Sequence, residues 1–153
     1  MNIQVYTSGK ELQNNLLKLA KFYASQLNLK KSKYEIIICT DPSLKKEGTR
    51  GLCAKTGHRQ ITILLYSRLN PVMFIYTLAH EMVHAKQICR GQYSLRLNKS
   101  KTKYQSIWLG KVIKAKYENR PWEKEAFIKE DILVDKLLGH ISKKKKVDNK
   151  YQY

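Results

Sequence analysis

Residues 70–91 read NPVMFIYTLAHEMVHAKQICRG, and this stretch decides the fold predicted for the chain. Asn70 is a favourable helix N-cap, Pro71 suits the first helical position, and Gly91 can take the left-handed conformation that ends a helix. No other Gly or Pro lies between Pro71 and Gly91. The stretch therefore predicts one uninterrupted helix that begins after Asn70 and ends before Gly91.

This helix carries His80, Glu81 and His84 in the spacing H-E-x-x-H. Residues four apart on a helix lie one turn above each other, so both imidazoles project from the same face, as two zinc ligands must. Glu81 lies about 100° around the helix from His80 and can reach a metal-bound water without ligating the metal. We therefore predict a zinc (Zn2+) site with Glu81 as general base. The alternative is a buried helix with two hydrogen-bonded histidines.

Length and composition indicate one globular domain, predicted over residues 1–141, followed by a basic and flexible tail over residues 142–153. The chain has 153 residues, 42% of them hydrophobic, and a formal net charge of +18. Such a charge favours polyanionic neighbours, such as nucleic acid, an acidic membrane surface or an acidic protein.

The sequence also predicts a cytoplasmic location. The N-terminus lacks the pattern of a signal peptide, and no apolar stretch approaches the ~20 residues of a membrane span. Three cysteines without a C-x-x-C pair are typical of free thiols in a reducing compartment. The sequence indicates no oligomeric state.

Hydrophobic periodicity predicts the remaining elements of an α+β fold. Residues 12–29 are an amphipathic helix, residues 34–40 a buried strand, and residues 49–55 and 59–66 the arms of a hairpin. Two short strands are predicted at residues 104–109 and 111–115. A last helix is predicted to begin at Pro121, to bury Ile128, Ile132 and Leu133, and to stop at Gly139.

Residues 86–120 contain ten Lys or Arg side chains and one acid, Glu118, interleaved with Tyr93, Tyr104, Trp108 and Tyr117. Basic and aromatic residues in alternation are typical of a surface that binds nucleic acid. A solvated basic hairpin with Trp108 turned into the core is the competing interpretation. The spacing alone does not place these charges on one face.

A catalytic zinc ion normally has three protein ligands and one open position. His58 and His140 are available as the third ligand, although His58 is predicted to lie in an exposed turn. The better source is PWEKEAF at residues 121–127, where Glu123 and Glu125 point to opposite sides of a helix. Because Glu125 shares its side with apolar residues, it is the predicted ligand, and Glu123 is the alternative.

The segments LAHEMVHAKQICRG and RPWEKEAF together resemble the small zincin metallopeptidases with a glutamate third ligand, minimal gluzincin-like or SprT-like domains often encoded in phage and bacterial genomes. The resemblance covers residues 35–138. SprT-like relatives generally use another histidine as third ligand, and its absence after His84 favours the glutamate type. No third histidine follows His84 at the metzincin spacing H-E-x-x-H-x-x-G-x-x-H, so the metzincin type is excluded.

The resemblance implies a zincin-like fold with an N-terminal helix, a small mixed or antiparallel sheet, the H-E-x-x-H helix, a short hairpin and a final helix with the third ligand. It implies a metallopeptidase with His80, His84 and Glu125 as zinc ligands and Glu81 as base. It also implies that an outer strand, formed by Gly51, Leu52, Cys53, Ala54 and Lys55, binds an extended peptide or protein substrate.

Several assignments stay open from the sequence. The oxyanion formed during hydrolysis needs a donor, and Tyr93, Tyr104, Tyr117 or a basic side chain could supply it. The alternative function is a basic module that binds nucleic acid and has a structural or vestigial zinc site. A hydrolase acting on a non-protein amide, such as a cell-wall peptide, is a third possibility.

Overall fold

The computed structural model describes the backbone of residues 1–150, with all of their side chains except those of Glu47 and residues 146–150. The fold is α+β. Its helices and strands follow in this order: β1 (Asn2–Tyr6), α1 (Lys10–Gln26), β2 (Glu35–Asp41), a 3-10 helix (Pro42–Glu47), β3 (Gly51–Gly57), β4 (Gln60–Tyr66), α2 (Pro71–Cys89), β5 (Tyr93–Leu97), β6 (Tyr104–Trp108), β7 (Lys111–Ile113), a second 3-10 helix (Tyr117–Asn119) and α3 (Pro121–Lys150).

The first sheet is mixed and has the order β1-β2-β4-β3. Strands β1, β2 and β4 are parallel, and β3 runs antiparallel to β4 at the outer edge. The predicted hairpin is therefore confirmed. Strand β1 was not predicted, although Ile3 and Val5 alternate with polar residues in the way that indicates a strand.

Helix α2 is the central element, because α1, α3, β3 and β4 all pack against it. Leu78, Ala79, Met82, Val83 and Ala85 are completely buried. A helix covered on most sides can be apolar around its circumference, which is why the sequence shows no clear amphipathic stripe here. Within residues 1–150, no helix combines the length and the apolar character needed to cross a membrane.

The ends of α2 confirm the capping residues read from the sequence. The Asn70 side-chain oxygen accepts a hydrogen bond from the Met73 backbone N–H at 2.9 Å. Gly91 has a φ of 65° and donates its N–H to the Ile88 carbonyl at 3.0 Å, a left-handed C-terminal cap. Local signals therefore place this helix correctly.

The second sheet has the order β5-β6-β7 and is antiparallel. It confirms the two short strands predicted around Gly110 and adds β5. The rings of Tyr93 and Trp108 lie 4.9 Å and 6.3 Å from the ring of Trp122 at the start of α3. This sheet therefore packs against the first turn of the helix that carries the candidate third ligand.

Two predictions for α3 are corrected. The helix does not stop at Gly139 but continues to Lys150, so residues 142–150 of the predicted flexible tail are helical, and residues 151–153 lie outside the described residues. The buried side of α3 carries Glu123, Ala126, Leu133 and Leu137. Leu133 is buried as predicted, but Ile128 and Ile132 are 64% and 47% exposed, so the predicted apolar stripe is wrong at these two residues.

Candidate metal centre

Three side-chain atoms converge where α3 crosses α2. The Nε2 atoms of His80 and His84 lie 3.1 Å apart. Glu123 Oε2 lies 3.0 Å from His80 Nε2 and 3.4 Å from His84 Nε2. Among the described residues, these three are the His, Cys, Asp or Glu side chains that come close enough together to hold a metal ion.

The outer nitrogens of both rings have hydrogen-bond partners of their own. His80 Nδ1 lies 2.7 Å from Glu130 Oε2, and His84 Nδ1 lies 2.9 Å from Gln87 Oε1. Both partners are acceptors, so each Nδ1 is the donor and carries hydrogen. In neutral rings the two Nε2 lone pairs then face each other and the Glu123 carboxylate, and only a cation stabilises three converging acceptors.

Protons can act as that cation when no metal is bound. Burial lowers the pKa of His80, but hydrogen bonds to Glu123 and Glu130 outweigh it and raise the pKa to about 9. Burial raises the pKa of Glu123, but the two histidines reverse this effect and hold it well below its usual range. A carboxylate that stays ionised among histidines prefers a positive partner at every ordinary pH.

The spacing of the three atoms also fits zinc. Tetrahedral ligands at 2.0–2.1 Å from zinc are separated from one another by roughly 3.3 Å. The three distances here lie between 3.0 and 3.4 Å. The donor set of two imidazoles and one carboxylate is one that catalytic zinc sites use, with the fourth position open.

Comparisons with models of protein families, with curated proteins and with solved structures find no match. The resemblance to zincin metallopeptidases, which was drawn from two sequence segments, stays a prediction. The features that bear on function are therefore the three converging side chains and the groups around them.

Glu81 lies beside the cluster in a nearly closed environment. It is 6% exposed, and burial raises its pKa to about 7, against the charges of His84 and His80, which lower it. Strand β3 approaches this carboxylate closely: a Cβ atom added at Gly51 would lie 2.9 Å from Glu81 Oε1 and 2.8 Å from Thr77 Cγ2. Gly51 is thus required by the close contact between β3 and α2.

The prediction that Glu125 faces the two imidazoles is corrected. Glu125 Oε1 lies 2.6 Å from Lys86 Nζ and 2.6 Å from Lys129 Nζ, on the side of α3 away from the rings. Glu123, the alternative residue, is the carboxylate that lies beside the two rings. The sequence pattern predicts that the isoleucines of α3 form its buried face, whereas the helix buries the side that contains Glu123 and Ala126.

The other histidines lie away from the cluster. His58 is exposed at the β3–β4 turn, as predicted. His140 is exposed on α3, and its ring lies 5.3 Å from that of Phe22 on α1. Neither residue belongs to the group of converging ligand atoms.

A cleft of about 470 Å³ opens over the cluster, lined by Gly51, Thr77, His80, Glu81 and Tyr117 among others. A narrower space beside it adds Leu52, Cys53, His84 and Glu123. Of the predicted substrate-binding strand, Gly51, Leu52 and Cys53 therefore line the site. Ala54 and Lys55 are exposed further along β3 and do not line either space.

The three candidate tyrosines differ in position. Tyr117 lines both spaces, and burial together with the charge of Glu123 raises its pKa to about 12. Tyr93 lines only the narrower space, and its hydroxyl lies 3.4 Å from Ser106 Oγ. Tyr104 is 71% exposed on the second sheet and lines neither space.

Two site residues were missed from the sequence, Gln87 and Glu130. Gln87 follows His84 by three residues and Glu130 follows Glu123 by seven, so each lies on the same side of its helix as the residue it supports. That spacing was a usable signal for Gln87. Glu130 could be recognised only after Glu123, rather than Glu125, had been placed at the site.

Proposed function

We propose that this chain is a zinc-dependent metallopeptidase with a zincin-like arrangement of its site. One observation carries the proposal: His80 Nε2, His84 Nε2 and Glu123 Oε2 converge within 3.4 Å of one another, beside the buried carboxylate of Glu81. A set of acceptors with a nearby base of raised pKa is what hydrolysis by activated water requires.

His80, His84 and Glu123 would hold the metal. Zinc, when bound, supplies a Lewis acid that polarises a carbonyl oxygen and makes water more acidic. Glu130 and Gln87 accept hydrogen bonds from the outer nitrogens of the two rings, which would leave both Nε2 lone pairs available to a bound ion.

Glu81 is the proposed general acid and base. Burial raises its pKa to about 7 in the metal-free site, and a bound cation would favour its ionised form, which can accept a proton from the attacking water. It then holds this proton in a buried position until it passes it to the leaving nitrogen. Such proton transfer contributes typically ~10²- to 10⁴-fold to the rate.

Strand β3 and Tyr117 supply the proposed substrate contacts. Strand β3 is the outer strand of its sheet, and among the described strands only β4 pairs with it. An extended peptide can therefore add to its free edge by backbone hydrogen bonds. The Tyr117 hydroxyl stays protonated because its pKa is raised, so it can donate to the oxyanion of the reaction.

The proposal is tested by measuring zinc content and proteolysis on the same purified protein. Wild-type protein is expected to bind one zinc ion and to cleave denatured casein, and a chelator is expected to abolish cleavage. Glu81→Gln is expected to retain zinc and to lose hydrolysis, because the amide cannot accept the proton. The exposed acid Glu118 offers a matched control, Glu118→Gln, which is expected to keep both properties. Wild-type protein free of zinc after exposure to Zn2+ would end the proposal.

Nucleic-acid binding is a second candidate function, favoured by the surface of the second sheet. Seven basic side chains there are exposed: Arg96, Lys99, Lys101, Lys103, Lys111, Lys114 and Lys116. Within the described residues, none of them forms an ion pair with an acid. A cleft of about 300 Å³ lies beside them, lined by Lys103, Tyr104, Lys114 and Arg120 among others.

This second function is tested by titrating single-stranded DNA at two salt concentrations. Phosphate contacts release counterions, so affinity is expected to fall steeply as salt increases. A Lys103→Glu, Lys114→Glu variant is expected to weaken binding without changing zinc content. The exposed residues Lys18 and Lys21 on α1 supply a control with the same change of charge. Equal loss in both variants would mean that net charge, and not this surface, attracts the DNA.

A further inference from the structure

Glu125, which the sequence predicts as a metal ligand, does not contact the two imidazoles directly. It is connected to His84 through the side chain of Gln87. Its Oε1 atom accepts from Lys86 Nζ and Lys129 Nζ, each at 2.6 Å. Its Oε2 atom accepts from Gln87 Nε2 at 2.9 Å. The Lys86 side chain is only 4% exposed, so the carboxylate is held by a cation that has little access to water.

Gln87 is the link between this carboxylate and the candidate metal centre. Its side chain is completely buried, and its two N–H groups are both used, one toward Glu125 Oε2 and one toward the Trp122 carbonyl at 3.0 Å. A rotated amide would place its oxygen against these two acceptors. The amide orientation is therefore determined, and Oε1 is left facing His84 Nδ1 at 2.9 Å.

We infer that Glu125 and Gln87 are positioning residues that set the tautomer of His84. An amide oxygen opposite Nδ1 requires the proton on Nδ1, which leaves the lone pair of the neutral ring on Nε2. The negative charge of Glu125, stabilised by Lys86 and Lys129, fixes the amide that imposes this choice. The same helix turn thus supplies one candidate ligand, Glu123, and the support for another, His84.

The inference is tested first without metal, so that it does not depend on the proposed function. Ring ¹⁵N chemical shifts and long-range ¹H–¹⁵N couplings report which nitrogen of His84 is protonated, at a pH where titration shows the ring neutral. Wild-type protein is expected to show the proton on Nδ1. Gln87→Met, which keeps the side-chain length and removes the acceptor, is expected to give a mixture of tautomers.

The second readout, Zn2+ affinity, rests on the proposed function. Loss of an outer partner of a ligating histidine typically weakens metal binding ~10- to 100-fold, and Gln87→Met is expected to fall in this range. Glu125→Gln is expected to weaken binding less. Because Glu125 acts through Gln87, the combined variant is expected to bind zinc no more weakly than Gln87→Met alone. Gln13→Met, on the exposed side of α1, is the control.

Each outcome decides one question. An unchanged His84 tautomer in Gln87→Met overturns the inference, whatever zinc does. The inference is also overturned if the fold-losses of zinc affinity in Gln87→Met and Glu125→Gln multiply in the combined variant, since the two residues would then act separately. Wild-type protein that binds no zinc rejects the proposed function, and the tautomer measurement still decides the inference. If Glu125→Gln fails to fold because Lys86 loses its partner, Lys86→Met with Glu125→Gln removes both members of the buried pair.

Discussion

Glu123 and Glu125 lie two residues apart on α3, and the helix directs them to different sites. Glu123 Oε2 is 3.0 Å from His80 Nε2, whereas Glu125 Oε1 is 2.6 Å from Lys86 Nζ. Residues two apart on a helix point in nearly opposite directions, so one packing of α3 on α2 can serve only one of them as ligand. The two carboxylates should therefore respond differently to the same substitution.

Glu123→Gln is expected to abolish stoichiometric zinc binding. The amide removes the negative ligand, and the loss should exceed the ~10- to 100-fold that follows loss of an outer partner. Glu125→Gln should retain one zinc ion per chain after dialysis. Elemental analysis after dialysis and competition with a chromogenic chelator measure both. If Glu125→Gln lost the metal and Glu123→Gln kept it, the ligand assignment would be reversed.

Gly51→Ala is expected to reduce stability and hydrolysis together. The added methyl would lie 2.8 Å from Thr77 Cγ2 and 2.9 Å from Glu81 Oε1, so β3 or Glu81 must move. Overpacking of this kind typically costs ~1–3 kcal/mol of unfolding free energy. Urea unfolding and casein cleavage measure the two effects.

Thr77→Ser removes the closer contact atom and is expected to restore part of the stability lost in Gly51→Ala. Gly139→Ala is the matched control, because nothing lies within 4 Å of a Cβ atom added there. As Gly139 lies inside a helix, that substitution should stabilise by ~0.5–1 kcal/mol. A Gly51→Ala protein as stable and active as wild type would contradict the close contact.

Tyr117→Phe is expected to lower kcat ~10²- to 10³-fold and to leave KM and zinc content nearly unchanged. The hydroxyl would be needed when the oxyanion forms, and a phenyl ring keeps the packing. Tyr104→Phe, at a residue 71% exposed on the second sheet, should have no effect. Steady-state kinetics on one fluorogenic peptide separate kcat from KM. A change confined to KM would assign Tyr117 to substrate binding alone.

The metal-free protein is expected to lose stability as pH rises. The pKa of His80 is about 9 in the folded protein, against an ordinary value of 6.5. The folded state thus binds the proton more tightly than the unfolded state, so this contribution is complete below pH 6.5 and is lost as pH rises through 9. Urea unfolding in the presence of a chelator, on both sides of this window, measures it.

Glu123→Gln is the control for this pH effect, because it removes the negative charge of Glu123, one of the two carboxylates that raise the pKa of His80. Its stability should depend less on pH over the same window. Added zinc should suppress the loss at high pH, because metal binding and proton binding compete for the same nitrogen. A metal-free protein whose stability increases with pH through this window would show that His80 is not protonated in the folded state.

Much of the fold could be predicted from local signals. Asn70, Pro71 and Gly91 placed α2, and the alternation of Ile61, Ile63 and Leu65 identified the buried face of β4, where all three side chains are completely buried. Two elements differ from what the sequence predicted, one strand that was not predicted and one helix that is longer than predicted. Strand β1 pairs with β2, although α1 separates the two strands in the sequence. Helix α3 continues beyond Gly139, a residue type that often ends a helix but can also lie within one.

The sequence by itself determined that two imidazoles share one face of a capped helix, because a spacing of four residues is a property of any α-helix. It also predicted that a carboxylate from the helix at residues 121–127 would lie beside these two rings, as Glu123 does. Only the tertiary structure decided which carboxylate, since that depends on the rotation of α3 about its axis when it packs against α2. The rotation is set by Ala126, Leu133, Val134 and Leu137, all buried, and not by the isoleucines that suggested the opposite face.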